Sequence, residues 1–203
     1  NPSTNPAGIA GIKLQWTSPA GATTARTVDV WRAPFGFEQP AGTWVNAYPE
    51  YDDDNPTLAQ VPTTPIGSCP VNLVGWTRAA TFAETTGTQT YTDTPPLRGF
   101  WYYVVCLTDP CNNGPVSNMT FGTLDYLLGD VTSAANPNVG DNKVDAVDQS
   151  LLGVHYGIDL DAAGNSVWNQ LDFGPTTSFT VDGRPRPDDL IAFEELMIFS
   201  LNF

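Results

Sequence analysis

Ile12-Lys13-Leu14-Gln15-Trp16-Thr17-Ser18-Pro19 puts Ile12, Leu14 and Trp16 on one side of an extended chain and Lys13, Gln15 and Thr17 on the other. Alternation with a period of two lays a β-strand over one face of a core. Thr27-Val28-Asp29-Val30-Trp31-Arg32 repeats the pattern, and residues 75–82, 88–92 and 100–107 read as further strands, with 116–124 expected to close the sheet. Gly, Pro, Asn and Asp clusters separate these runs, as turns require. No helical periodicity is visible up to about residue 124, so this half is expected to be all β. Residues 34–65 loosen, and Glu50-Tyr51-Asp52-Asp53-Asp54-Asn55-Pro56 reads as an exposed acidic loop.

Composition narrows the function. The chain has 203 residues, with 22 acidic against 8 basic side chains and a formal charge of -14. Such a surface repels nucleic-acid phosphates and anionic lipid headgroups and favours metal cations. Hydrophobic residues at 41% argue for a packed core rather than disorder, and no apolar run approaches the roughly 20 residues of a membrane helix. The start at Asn1, without Met or a charged-then-apolar leader, reads as a processed chain, secreted and extracellular or at the cell surface. Cys69, Cys106 and Cys111 form no C-x-x-C pair and have no His nearby, which argues against zinc or thioredoxin-type chemistry. Cys106 and Cys111 flank the turn-forming Leu107-Thr108-Asp109-Pro110, so a disulfide between them would pin a hairpin. Cys69 is the rival partner.

The first part resembles a fibronectin type III domain. Ile12-Lys13-Leu14-Gln15-Trp16-Thr17-Ser18-Pro19 matches the family's early I-x-L-x-W-x-x-P strand, while Thr90-Tyr91-Thr92-Asp93-Thr94, Trp101-Tyr102-Tyr103-Val104-Val105 and Pro115-Val116-Ser117-Asn118 match its closing segments in order. The resemblance implies an immunoglobulin-like β-sandwich over residues 1–124. It departs from the family in a longer middle, between Pro34 and Pro70, and in the short stretch before the Trp16 strand.

After Tyr126-Leu127-Leu128-Gly129 acidic residues recur at fixed spacing ahead of short apolar helical runs. Calcium loops place oxygen ligands at positions 1, 3, 5, 7, 9 and 12. Reading back from Asp148 as position 12 gives Asp145 at 9, the Lys143 carbonyl at 7 and Asp141 at 5. Asp130 supplies position 1 across a seven-residue insertion, with Thr132 or Asn138 as a third ligand. The template recurs with Glu195 at 12, Ala192 at 9, the Leu190 carbonyl at 7, Asp188 at 5 and Asp172 at 1 across a second insertion. Ala192 gives this copy one side-chain ligand fewer. Asp148 and Glu195 would equally suit helix amino termini, where acids complement the dipole.

Duplicated loop-helix units opened by Leu128-Gly129-Asp130-Val131 and carrying Gly140-Asp141-Asn142-Lys143-Val144-Asp145-Ala146-Val147-Asp148 resemble the dockerin module. The resemblance implies that residues 125–203 form two calcium-loaded helices that dock on a cohesin-like partner.

Catalysis is not expected. His155, the one histidine, sits in a helical run without a nucleophile motif and reads as a packing residue, and neither G-x-S-x-G nor a phosphate-binding glycine loop occurs. Trp31, Trp44, Trp76, Trp101 and Trp168 raise carbohydrate stacking, although Trp in a sandwich more often belongs to the core. Asn118-Met119-Thr120 fits the N-linked acceptor pattern. Two functions follow. One is a calcium-stabilised structural subunit that self-associates into a surface filament by β-strand donation, with Asn1-Pro2-Ser3-Thr4-Asn5-Pro6 as the donor arm. The other is a cohesin-binding anchor using the helices near residues 149–156 and 195–201.

Overall fold

The computed structural model of the chain describes residues 10–18, 21, 26–35, 62, 65, 69, 75–96, 98–108, 114–178, 180 and 182–203. The acidic tract at 50–56, Trp44 and Cys111 lie outside them. The described chain is mainly β with a small helical part. Its strands are β1 (Ile12–Ser18), β2 (Thr27–Pro34), β3 (Thr77–Ala83), β4 (Gly87–Asp93), β5 (Phe100–Thr108) and the short β6 (Thr123–Leu124). Helix α1 (Ala146–His155), a 3-10 helix (Ser166–Leu171) and α2 (Phe193–Asn202) follow.

All strand pairings are antiparallel, in two sheets: β1 with β4, and β3-β2-β5-β6. Strand β5 shows why its sequence reads as the strongest β run. Phe100, Tyr102, Val104 and Cys106 join Trp31, Ala33, Phe35, Cys69 and Trp76 in one apolar cluster, while Trp101 and Tyr103 join Ile12, Leu14 and Val30 in another. Alternate side chains of one strand thus serve two cores, and β5 is apolar on both faces. The second cluster takes residues from both sheets. Buried Asp93 ties them further, accepting hydrogen bonds from Arg32 Nη1 at 2.8 Å and from Tyr103 Oη at 2.9 Å.

The expected strand over 116–124 is realised only as the Cys106–Val116 bridge and β6. Hydroxyls replace carbonyls in between: Val105 N donates to Ser117 Oγ at 2.9 Å and Tyr103 N to Thr120 Oγ1 at 3.0 Å. The ladder therefore loses its regular repeat while β5 keeps its partners satisfied.

Cys111, one half of the expected Cys106–Cys111 pairing, lies outside the described residues. Cys106 and Cys69 are both buried free thiols in the same apolar cluster. Cys106 lies on a β5 position whose side chain packs into that core.

Residues 124–203 pack around a third cluster that includes Tyr126, Leu128, Leu152, Leu171, Phe173, Ile191 and Phe199. Leu124 touches this cluster and the β5 cluster alike. Asp125, fully buried, fastens the junction: its carboxylate accepts from Gly99 N at 2.7 Å and Trp101 Nε1 at 3.2 Å.

Candidate functional site

Both loops ahead of the helices are built alike. In the first, the carboxylate of Asp130 accepts the amides of Asp141 at 2.8 Å and Asn142 at 2.7 Å. In the second, Asp172 Oδ2 accepts the amide of Asp189 at 2.8 Å. Asp141 and Asp188 each close the same small turn, accepting the amide two residues on at 3.2 Å. Asn142 and Asp189 follow them with left-handed backbone, at φ 67° and 62°. A calcium loop needs its sharp bend at this sixth position, where glycine is usual.

The closing acids also correspond. Asp148 Oδ2 accepts from Asp145 N at 2.9 Å, and Glu195 Oε2 accepts from Ala192 N at 2.7 Å. Their other oxygens reach back to the loop start, Asp148 Oδ1 to the amides of Val131 and Thr132 at 2.9 Å and Glu195 Oε1 to Gly174 N at 3.0 Å. Thr132 and Gly174 both stand two residues after their loop's first acid. The insertions are accommodated between: residues 174–187 include the Thr176–Pro185 bridge, and the Thr132 hydroxyl accepts Asn138 N at 3.0 Å.

The nine positions singled out from spacing divide by exposure. Asp130, Asp148, Asp172 and Glu195 are buried, Asp141 is half-buried, and Lys143, Asp145, Asp188 and Leu190 are exposed. Asp145 is spent on the helix, accepting Val147 N at 2.8 Å as the α1 N-cap. Ala192 offers α2 no side-chain cap. Among the described residues no three Asp, Glu, His or Cys side chains form a ready cage for an ion. An ion here therefore needs backbone carbonyls, such as those of Lys143 and Leu190, beside the carboxylates.

The loops differ in charge balance. Asp130 faces a cation: Arg98 Nη2 donates to Asp130 Oδ2 and Arg98 Nη1 to the Asp130 carbonyl at 2.5 Å. Spacing alone missed Arg98, which lies far from the loop in sequence. Asp172 and Glu195 form no ion pair with a described residue, and Asp172 Oδ1 is buried without a hydrogen-bond partner. Burial, then the nearby Glu195 charge, pushes the Asp172 carboxyl up to about 9, and burial pushes Glu195 up to about 7. A buried oxygen without a donor, beside a second buried acid, suits a hard cation.

His155 packs as expected, its ring 3.9 Å from that of Trp168 and its Nδ1 2.8 Å from the Leu151 carbonyl. Trp31, Trp76 and Trp101 are buried and offer no face to a sugar.

A second feature lies at the edge of β1. Among the described residues β1 pairs with β4 alone. Its other edge borders a groove of about 340 Å³ lined by Gly11, Ile12, Lys13 and Leu14 on one side and by Thr120, Gly122, Thr123 and Leu124 on the other, with Tyr103 also contributing. Another hollow of about 180 Å³ lies between residues 16–18 of β1 and residues 115–117. Between them the two hollows are lined by residues 11–14 and 16–18, and Ala10 N, just ahead of β1, donates to the Asp125 carbonyl.

Neither a protein-family model, nor a curated protein, nor a solved structure matches this chain. No described helix is long and apolar enough to cross a membrane.

Proposed function

We propose that this protein is a non-catalytic, calcium-braced extracellular subunit that self-associates by β-strand donation into a filament. The edge of β1 that has no strand partner among the described residues carries the reading. An exposed edge presents a row of backbone donors and acceptors that an extended segment can pair with, its alternate side chains entering the groove. The proposed occupant is the segment Asn1-Pro2-Ser3-Thr4-Asn5-Pro6 of a second copy, which lies outside the described residues. Donation from copy to copy is heterologous, so it propagates rather than closes. On this reading the two sheets form a fibronectin III-like sandwich and residues 125–203 a dockerin-like module. The second loop holds calcium through Asp172, Glu195, Asp188 and the Leu190 carbonyl, and the ion supplies positive charge to a buried acidic site.

Electron microscopy and sedimentation of the purified protein, with and without residues 1–9, test the reading. Filaments that vanish on truncation support it. A monomer at every concentration, in the presence of calcium, overturns it.

One observation favours docking on a cohesin-like partner as a second reading. Phe193, Met197 and Leu201, spaced by four, form an exposed apolar stripe on α2, with Val154 exposed on α1. Met197→Glu would abolish such docking and leave strand-donated filaments intact.

A further inference from the structure

We propose that the first loop is closed by Arg98 and takes no metal ion, so that of these two loops only the second is a cation site. The inference rests on the reading of these loops as cation loops and departs from it in stoichiometry.

A carboxylate has about four lone-pair sites. Asp130 commits three of them, to Asp141 N, Asn142 N and Arg98 Nη2. Asp148 also commits three, to Val131 N, Thr132 N and Asp145 N. Arg98 is no loose surface pairing. It is 7% exposed against 1% for Asp130, lies 5.1 Å over the Tyr126 ring, and donates a second time to the Asp130 carbonyl. Gly140 leaves room for it, since a Cβ there would overlap Arg98 Nη2. A divalent ion on Asp130 would have to share that carboxylate with a buried guanidinium of like charge.

The second loop has the opposite balance. Asp172 commits one site, to Asp189 N, and its Oδ1 is buried with no donor; Glu195 commits two. Neither acid meets a cationic side chain among the described residues. The charge that Arg98 supplies to the first loop must come to the second from solution, and an all-oxygen donor set selects a hard divalent cation of the calcium class.

Native mass spectrometry of the full chain, titrated with calcium alone, counts the ions. One per chain is expected for the wild type and for Asp130→Asn, and none for Asp172→Asn. Two per chain overturns the inference while leaving the cation-loop reading standing; none at millimolar calcium overturns both. Limited proteolysis of the wild type needs no variant. Chelator is expected to open cleavage within residues 172–195 and leave 130–148 protected, and equal sensitivity of both loops would sink the idea.

Discussion

Asn142 and Asp189 take the same left-handed turn, at φ 67° and 62°, each directly after an acid that accepts the amide two residues on. Correspondence of backbone, rather than of side chains, is the firmest sign that the two loops are copies. It also makes the first prediction local. A β-branched residue at Asp189 pays the left-handed penalty of about 1–2 kcal/mol, whereas glycine does not. Asp189→Val is expected to lower the melting temperature more than Asp189→Gly, since both remove the carboxylate and only valine is strained in the turn; equal effects in thermal unfolding would contradict the turn assignment.

Tyr103 N has the Thr120 hydroxyl as acceptor where a regular ladder would offer a carbonyl. Thr120→Val keeps the shape and removes the acceptor, so it is expected to cost about 1–3 kcal/mol, while Thr120→Ser is expected to cost less. Denaturant unfolding of the two variants separates hydrogen bonding from packing.

Asp125 at the junction has its carboxyl pushed up to about 7, chiefly by burial, against the pull of the Gly99 amide and the Arg98 charge. The folded chain therefore holds a proton that the unfolded chain releases near pH 3.8. This contribution to stability is greatest below that value and declines as pH rises to about 7, by up to about 1.4 kcal/mol per pH unit. Asp125→Asn is expected to flatten that part of the stability profile measured by chemical unfolding, with chelator present to remove cation effects. An unchanged profile would show that another group sets it.

Burial pushes the Cys106 thiol well above its ordinary range, with Cys69 beside it adding to the effect. Both thiols are expected to resist a bulky alkylating reagent in the native state and to react on unfolding. Mass mapping after pulse labelling reads this directly; rapid native labelling of Cys106 would place it outside the core.

Much of the β framework was legible because it is written in neighbouring residues: the strands at Ile12 and Thr27 follow from a period of two, and the strand at Phe100 from an unbroken run of aromatic and β-branched residues. The loop acids were legible for a similar reason, since Asp148 and Glu195 sit at fixed steps from Asp141 and Asp188. Residues 116–124 misled because Ser117 and Thr120 look like ordinary strand residues, and whether a hydroxyl or a carbonyl faces β5 depends on the fit of two segments.

Sequence by itself determined which stretches extend, that an acid stands in the first turn of each helix, and that the chain carries a strong negative charge, because each is a property of local pattern or composition. Tertiary structure alone decided that Cys106 meets Cys69, that the edge of β1 borders a groove, and that Arg98 reaches Asp130 while Asp172 finds no such partner. Those outcomes depend on which distant segments the packed core brings within a few ångströms, and a one-dimensional spacing holds no record of that distance.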